Sequence, residues 1–419
     1  MLYEHNIHLH PIQDRYKMIR EIRIKNYKSI QKLKMDMGQF TVLIGENGSG
    51  KSNILEALAL ASAAANDKLD NEFLASRGIR VTDSRFMRSA FESENISEEI
   101  FIHLSGDGET SFKCKLQNDN EPYSKWRIAE DEEAKDIFGK ALADNPPLLQ
   151  NILESIAKRT SYDIETHLDK YELDDSSKTK IIKLFDNLIE KNSISDKPAV
   201  KKYLIYSPEN FALRTFEKEG QIEPLGIQGE GLFKLLKVLS TEKNIEKYRL
   251  IKEKLKAINW FEDFEIPDQL SETEKLIRIK DKYLREGFTY FDQRSSNEGF
   301  LFLLFYFALF VSDNTPDFFA IDNIDASLNP KLCCHLTKEL VHLGKKFSKQ
   351  AIVTTHNPAI LDGLNLDDPE QKLFVVFRNK LGYTKVRQIF KPETPQGQEP
   401  VKLSEAFLRG YIGGLPKGF

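Results

Sequence analysis

Eight residues dictate much of what this chain must become. Gly45-Glu46-Asn47-Gly48-Ser49-Gly50-Lys51-Ser52 stands between the apolar run Phe40–Ile44 and a helix-forming stretch from Asn53 through Ala61. A strand that enters a glycine loop and leaves as a helix brings the positive helix N-terminus to bear on whatever the loop encloses. Glycines let successive backbone N–H groups turn inward around phosphate oxygens, where side chains would block the approach. Asn47, Gly48, Ser49, Gly50 and Asn53 are therefore expected to line a phosphate cradle, with Lys51 at the β- and γ-phosphates and the Ser52 hydroxyl on magnesium. A continuous apolar strand is the kind covered on both faces, so the expected class is α/β.

Such a cradle calls for a carboxylate at the end of a neighbouring strand, to hold the metal and its waters. Phe318–Ile321 followed by Asp322 supplies it. Asp322 lies 271 residues after Lys51, too far for a simple GTPase or a small kinase, so the interval is expected to hold an inserted lobe. Upstream, Arg294-Ser295-Ser296-Asn297-Glu298-Gly299 opens the apolar run Phe300–Val311; downstream, Ala351–Thr355 ends in His356-Asn357-Pro358. A serine-rich helix start and a histidine at a strand end are each usually structural. Their order, serine turn, acidic strand, histidine strand, carries the information.

The rest of the chain reads as supporting structure. Ile19–Met37 alternates like paired strands with a bend near Asn26-Tyr27-Lys28, and further strands are expected at Glu99–Leu104 and Ser111–Leu116. Residues 130–195 read as short helices broken at Asn145-Pro146-Pro147, too interrupted for a long coiled coil. Gly226-Ile-Gln-Gly-Glu-Gly231 lacks a following Lys-Ser/Thr and reads as a structural turn, while Pro392–Pro400 reads as a linker. His5, His8 and His10 sit in an N-terminal extension without carboxylate or cysteine companions, which suits a surface tail better than a metal site. The division expected is 1–125 and 201–419 as two parts of one ATPase-like domain around a helical insertion at 126–200.

With 30% charged and 40% hydrophobic residues the chain has a globular composition, and a net charge of −4 argues against a protein that coats nucleic acid with its whole surface while leaving room for a local basic groove. Three cysteines, none in a CxxC spacing, suggest neither a disulfide framework nor zinc and fit a reducing cytoplasm. The longest apolar run, 12 residues, falls short of the roughly 20 needed to span a membrane. It is expected as a buried helix.

Taken together, these blocks resemble the ABC-type ATPases of the SMC and RecF group, and among them the compact bacterial ATPases of phage-defence systems such as Septu and PARIS. The likeness rests on Asn26-Tyr27-Lys28-Ser29, the glycine loop, the Ser-x-Glu-Gly signature, the Asp322 strand, Ser327-Leu328-Asn329-Pro330 as D-loop, and Thr355-His356-Asn357. It implies an ATPase head with a mixed sheet, carrying a compact helical insertion lobe, that uses ATP and magnesium and works as a nucleotide-clamped dimer or larger assembly. It further implies that Ser296, or Ser295 beside it, meets the γ-phosphate of the second copy, together with Glu298, Gly299 and Asn329. Ser52 and Asp322 would hold the metal, and His356 would be the switch residue in cis. One departure stands out: where the group has a water-activating Glu, this chain has Asn323. An amide is no general base near neutral pH, so hydrolysis is expected to be slow unless Asp325 takes over the water.

The leading expectation is a cytoplasmic ATPase subunit that senses a nucleic-acid or phage-derived cue and controls a separately encoded effector, a nuclease above all. With 63 residues after His356, no fused TOPRIM nuclease is expected. The alternative is a RecF-like repair ATPase clamping DNA. A transporter subunit fits poorly with this signature and insertion.

Overall fold

The computed structural model describes residues 18–108, 111–129, 178–179, 182, 198–216, 222–267, 275–285, 290–391 and 401–413. The N-terminal histidines, most of the expected helical insertion, and the 392–400 linker lie outside the described residues.

Two sheets enclose the helix that leaves the glycine loop. Strands β1 (Ile19–Tyr27), β2 (Ile30–Asp36), β4 (Ile100–Gly106), β5 (Ser111–Gln117) and β6 (Arg127–Ile128) form an antiparallel sheet in the order β2-β1-β4-β5-β6. Strands β3 (Phe40–Ile44), β7 (Ile205–Tyr206), β11 (Phe318–Ile321), β12 (Gln350–Thr355), β13 (Gln371–Arg378) and β14 (Thr384–Ile389) form a second sheet, ordered β14-β13-β3-β12-β11-β7. Its strands run parallel except β14, which returns antiparallel on β13. A small antiparallel sheet, β10 (Phe291–Asp292), β9 (Arg278–Asp281) and β8 (Phe261–Glu265), stands apart. The helices are α1 (Lys51–Ala65), α2 (Asn71–Ser76), α3 (Ser84–Met87), α4 (Pro198–Lys201), α5 (Asn210–Thr215), α6 (Leu232–Leu239), α7 (Ile245–Leu255), α8 (Glu298–Val311), α9 (Pro330–Phe347) and α10 (Leu403–Leu408). This is the expected α/β head with a mixed sheet.

Strand β3 shows why its sequence is apolar throughout. Phe40, Val42 and Ile44 point into a core shared with α8, and Leu43 points the other way, into the core around α1 and the antiparallel sheet. Alternation along a strand serves two interiors at once. Helix α8 is buried over its whole apolar run, Phe300–Val311, as a helix hydrophobic on all sides must be. Its Phe310 ring meets Phe319 of β11 edge-on at 5.2 Å.

Two sequence expectations need correction. The strand bearing Asp322 is not beside the glycine-loop strand: β12 lies between, pairing Ile44 with Thr355 on one side and Ile321 with Val353 on the other. Helix α1 starts at Lys51 rather than Asn53, because Gly50 adopts φ +104 as its N-cap and the helix follows at once. The Gly226–Gly231 segment is a closed turn, with the Gly226 N–H on the Glu230 carbonyl at 2.8 Å. Among the described residues, no helix is long and apolar enough to cross a membrane.

The two large sheets are tied through polar bonds as well as through α1. The fully buried Gln350 amide donates to the carbonyls of Ile19 and Gly38 (2.7 and 2.9 Å) and its oxygen accepts from the Ile19 N–H at 3.0 Å. A buried amide satisfied on both ends fixes the strands it joins.

Candidate phosphate-binding site

The parallel strands β3, β11 and β12 end at one edge, and there the chain opens a cavity of about 340 Å³ lined by Asn47, Lys51, Ser52, Arg80, Asn323 and His356. Ligands of open parallel sheets bind at such carboxyl ends. Backbone crowding explains the glycines. A Cβ on Gly45 would stand 2.1 Å from the Val376 carbonyl oxygen, and one on Gly50 would stand 2.0 Å from Thr384 Oγ1.

Lys51 is 5% exposed, and its Nζ donates to the carbonyls of Gly45 (2.9 Å) and Glu46 (3.0 Å). Burial lowers its pKa to about 8, against the pull of Asp322, Asp325 and Glu46. Ser49 Oγ is buried without a hydrogen-bond partner among the described residues. Ser52 Oγ donates to Asp322 Oδ2 at 2.9 Å, and Asp322 Oδ1 accepts from Thr354 Oγ1. An ammonium folded onto its own loop, an orphaned hydroxyl and a hydroxyl–carboxylate pair are the donor set that a triphosphate and its magnesium require. The residues present fit both.

At the acidic end, Asn323 is exposed with φ +56, and its N–H rests on Thr354 Oγ1 at 2.9 Å. Asp325 is engaged with the histidine strand: Oδ1 accepts from Thr355 Oγ1 at 2.6 Å and from the His356 N–H at 3.3 Å. Desolvation, then the charge of Lys51, pushes the His356 pKa down, so its imidazole is neutral near pH 7.

The serine turn lies elsewhere in the same chain, and none of Ser296, Glu298, Gly299 and Asn329 lines the Lys51 cavity. Ser295 is exposed, with its N–H and hydroxyl on Asp292 at 3.0 and 3.1 Å, whereas Ser296 is 3% exposed. Asn297 caps α8 by accepting from the Phe300 N–H at 2.8 Å, and Asn329 caps α9 through the Leu332 N–H at 3.0 Å. Glu298 spans two segments, accepting from Asn210 of α5 and from Ser327 Oγ at 2.6 Å. The serine turn and the turn after β11 are thereby joined.

Three contributors escaped the sequence reading. Arg80 is held by Glu56 of α1 (2.6 Å) and reaches Asn53 Oδ1 at 3.3 Å. Arg378, at the end of β13, donates to the Gly48 carbonyl at 2.7 Å. Thr384 of β14 donates to the Ser49 carbonyl at 2.8 Å and pairs with Ser29 Oγ at 2.6 Å, which accepts from Asn53 at 2.7 Å. Glu56 was the available signal. A lone carboxylate inside Ile54–Ala61 is 2% exposed between Lys28 and Arg80, and a buried charge needs such partners.

Comparison with known proteins extends the geometry. A family model for an AAA domain, described as putative AbiEii toxin of a type IV toxin–antitoxin system, matches residues 40–362. The DNA replication and repair protein RecF of Bacillus cereus (strain G9842) is 30% identical over 101 residues, 23% of this chain and 25% of that protein. The Retron Vc95 probable ATPase of Vibrio cholerae serotype O1 biovar El Tor is 30% identical over 123 residues, 28% of this chain and 22% of that protein. The chain spans about half the length, or less, of the curated relatives it matches. An SMC head, solved bound to the C-winged helix domain of ScpA, aligns over 89% of this chain and 98% of its own with a TM-score of 0.51 and 14% identity. That last likeness concerns the fold alone.

Proposed function

Since the chain belongs to the AAA-domain family described as putative AbiEii toxin, with the SMC/RecF-like ABC-type ATPase head of that group, we propose that it binds ATP and magnesium, closes as a dimer around them, and governs a separate effector in antiphage defence. The observation that carries the reading is the Ser52 hydroxyl on the Asp322 carboxylate at 2.9 Å, beside a buried Lys51 in a glycine cradle. Bound magnesium would be held by Ser52 and Asp322 and would neutralise phosphate charge. Equilibrium dialysis tests this: magnesium-dependent ATP uptake is expected and Lys51→Ala should abolish it, while uptake that survives the substitution would sink the proposal.

Hydrolysis is slow in this reading. Asn323 lines the cavity where a carboxylate would activate water, and the Asp325 oxygen nearest the histidine strand already accepts two bonds. His356 stays near the phosphates in cis. Across the dimer, Ser295, exposed with its hydroxyl on Asp292, is the serine a second copy's nucleotide can meet; Ser296, being buried, supports the turn. The match to a retron ATPase supports a defence role; the effector of this reading is a separately encoded nuclease.

The RecF match favours a second reading, a DNA clamp closed by ATP. Under it, DNA affinity would require ATP and fall steeply with salt. Affinity independent of ATP would remove that reading.

A further inference from the structure

We propose that the cleft beside the glycine cradle seats the purine ring of the nucleotide between Phe86 and Phe91, and selects it by stacking rather than by base identity, so that GTP enters as readily as ATP. This deepens the nucleotide reading above and rests on it. The cleft measures about 420 Å³ and adjoins the phosphate cavity, sharing Asn53, Arg80 and Arg378 with it. A nucleotide whose phosphates lie against Lys51 therefore has room for its base in the adjoining cleft.

The walls suit a planar ring. Phe86 and Phe91 are 66% and 45% exposed, an expense of apolar surface that no core packing explains. The Phe91 ring is fixed edge-on against Tyr383 at 5.4 Å and 77°, and the Tyr383 hydroxyl donates to Glu92. Arg378 sits 5.8 Å from the Phe91 centroid while bonding the Gly48 carbonyl, which ties the cleft to the cradle. Aromatic faces and a guanidinium are how proteins hold bases without reading them.

What the lining omits decides specificity. Reading guanine through its N1–H and exocyclic amine needs a carboxylate, and among the described residues none lines the cleft. Adenine recognition by a side chain needs a free amide. The lining amide, Asn53, is committed to Ser29 and Arg80. Arg88 is 1% exposed and anchored in the wall by the Glu98 and Asn118 carbonyls (2.7 and 2.6 Å) and by Asn120 Oδ1 at 2.7 Å, so it is not offered to a base.

Isothermal titration of the full chain with magnesium and ATP, GTP or tripolyphosphate tests the idea. ATP and GTP are expected to bind within several-fold of each other. Phe86→Ala and Phe91→Ala should each weaken both by roughly tenfold and leave tripolyphosphate unchanged. Unchanged tripolyphosphate binding also shows the cradle still folded. ATP affinity untouched by both substitutions, or ATP favoured over GTP by about a hundredfold, would overturn the inference and leave the phosphate reading standing. Absence of ATP and tripolyphosphate binding in the unsubstituted chain would overturn both.

Discussion

Lys51 carries its charge at a price set by burial. With its pKa lowered to about 8, the unliganded protein holds a neutral amine above that pH, whereas a bound triphosphate stabilises the ammonium and raises the pKa again. Binding then takes up a proton. The sign follows: affinity is complete below about pH 8 and declines as pH rises through it, by up to about tenfold per unit. Titration calorimetry at pH 7 and 9, in buffers of different ionisation enthalpy, should find weaker binding and net proton uptake at the higher pH. Lys51→Arg, which stays charged, should lose that dependence whatever its absolute affinity. Asn323 poses the complementary question. Asn323→Glu restores a carboxylate to the cavity and should raise steady-state ATP turnover by about 10²-fold or more. If turnover is already high in the unsubstituted chain and collapses in Asp325→Ala, the slow-hydrolysis reading fails.

The elements behave as supports for these few side chains. Helix α8 is the central one, buried on every side, with Phe310 packed on Phe319 and Phe305 on Tyr206. Phe310→Ala should lower stability by about 3–5 kcal/mol in urea unfolding, because the close packing between helix and sheet cannot collapse around the void. A loss below about 1 kcal/mol would mean the core is looser than these contacts indicate. The start of α8 also carries Glu298, whose two oxygens join α5 to the turn after β11. The hairpin β13–β14 has a like role at the other end, with Arg378 on Gly48 and Thr384 on Ser49. Both bracing contacts come from chain more than 300 residues away from the loop they hold.

At the scale of the molecule, the serine turn and the phosphate cavity occupy different parts of one chain, and the proposed dimer is what would bring a serine of a second copy to the nucleotide. Light scattering should report a monomer without nucleotide and a dimer with ATP and magnesium. Ser295→Arg should block that dimer while leaving ATP uptake by the monomer intact, and Ser296→Ala should leave the dimer in place. A dimer that forms equally without ATP would refute the clamp. Control of a separate effector is proposed, and co-purification of a nuclease with the full chain would test it.

By itself the sequence determined the local chemistry. Glycines that relieve backbone crowding, a lysine and serine at fixed spacing, an acid ending an apolar strand and a helix apolar on all sides are each set by neighbours within a few residues, so they could be read in one dimension. Tertiary structure alone decided what stands across space. It placed β12 between β3 and β11 and brought Arg378 and Thr384 onto the loop. It also turned Ser295 outward and Ser296 inward. Side-chain direction and strand order depend on which faces pack together, and that depends on the whole chain folding around two cores rather than on any one segment.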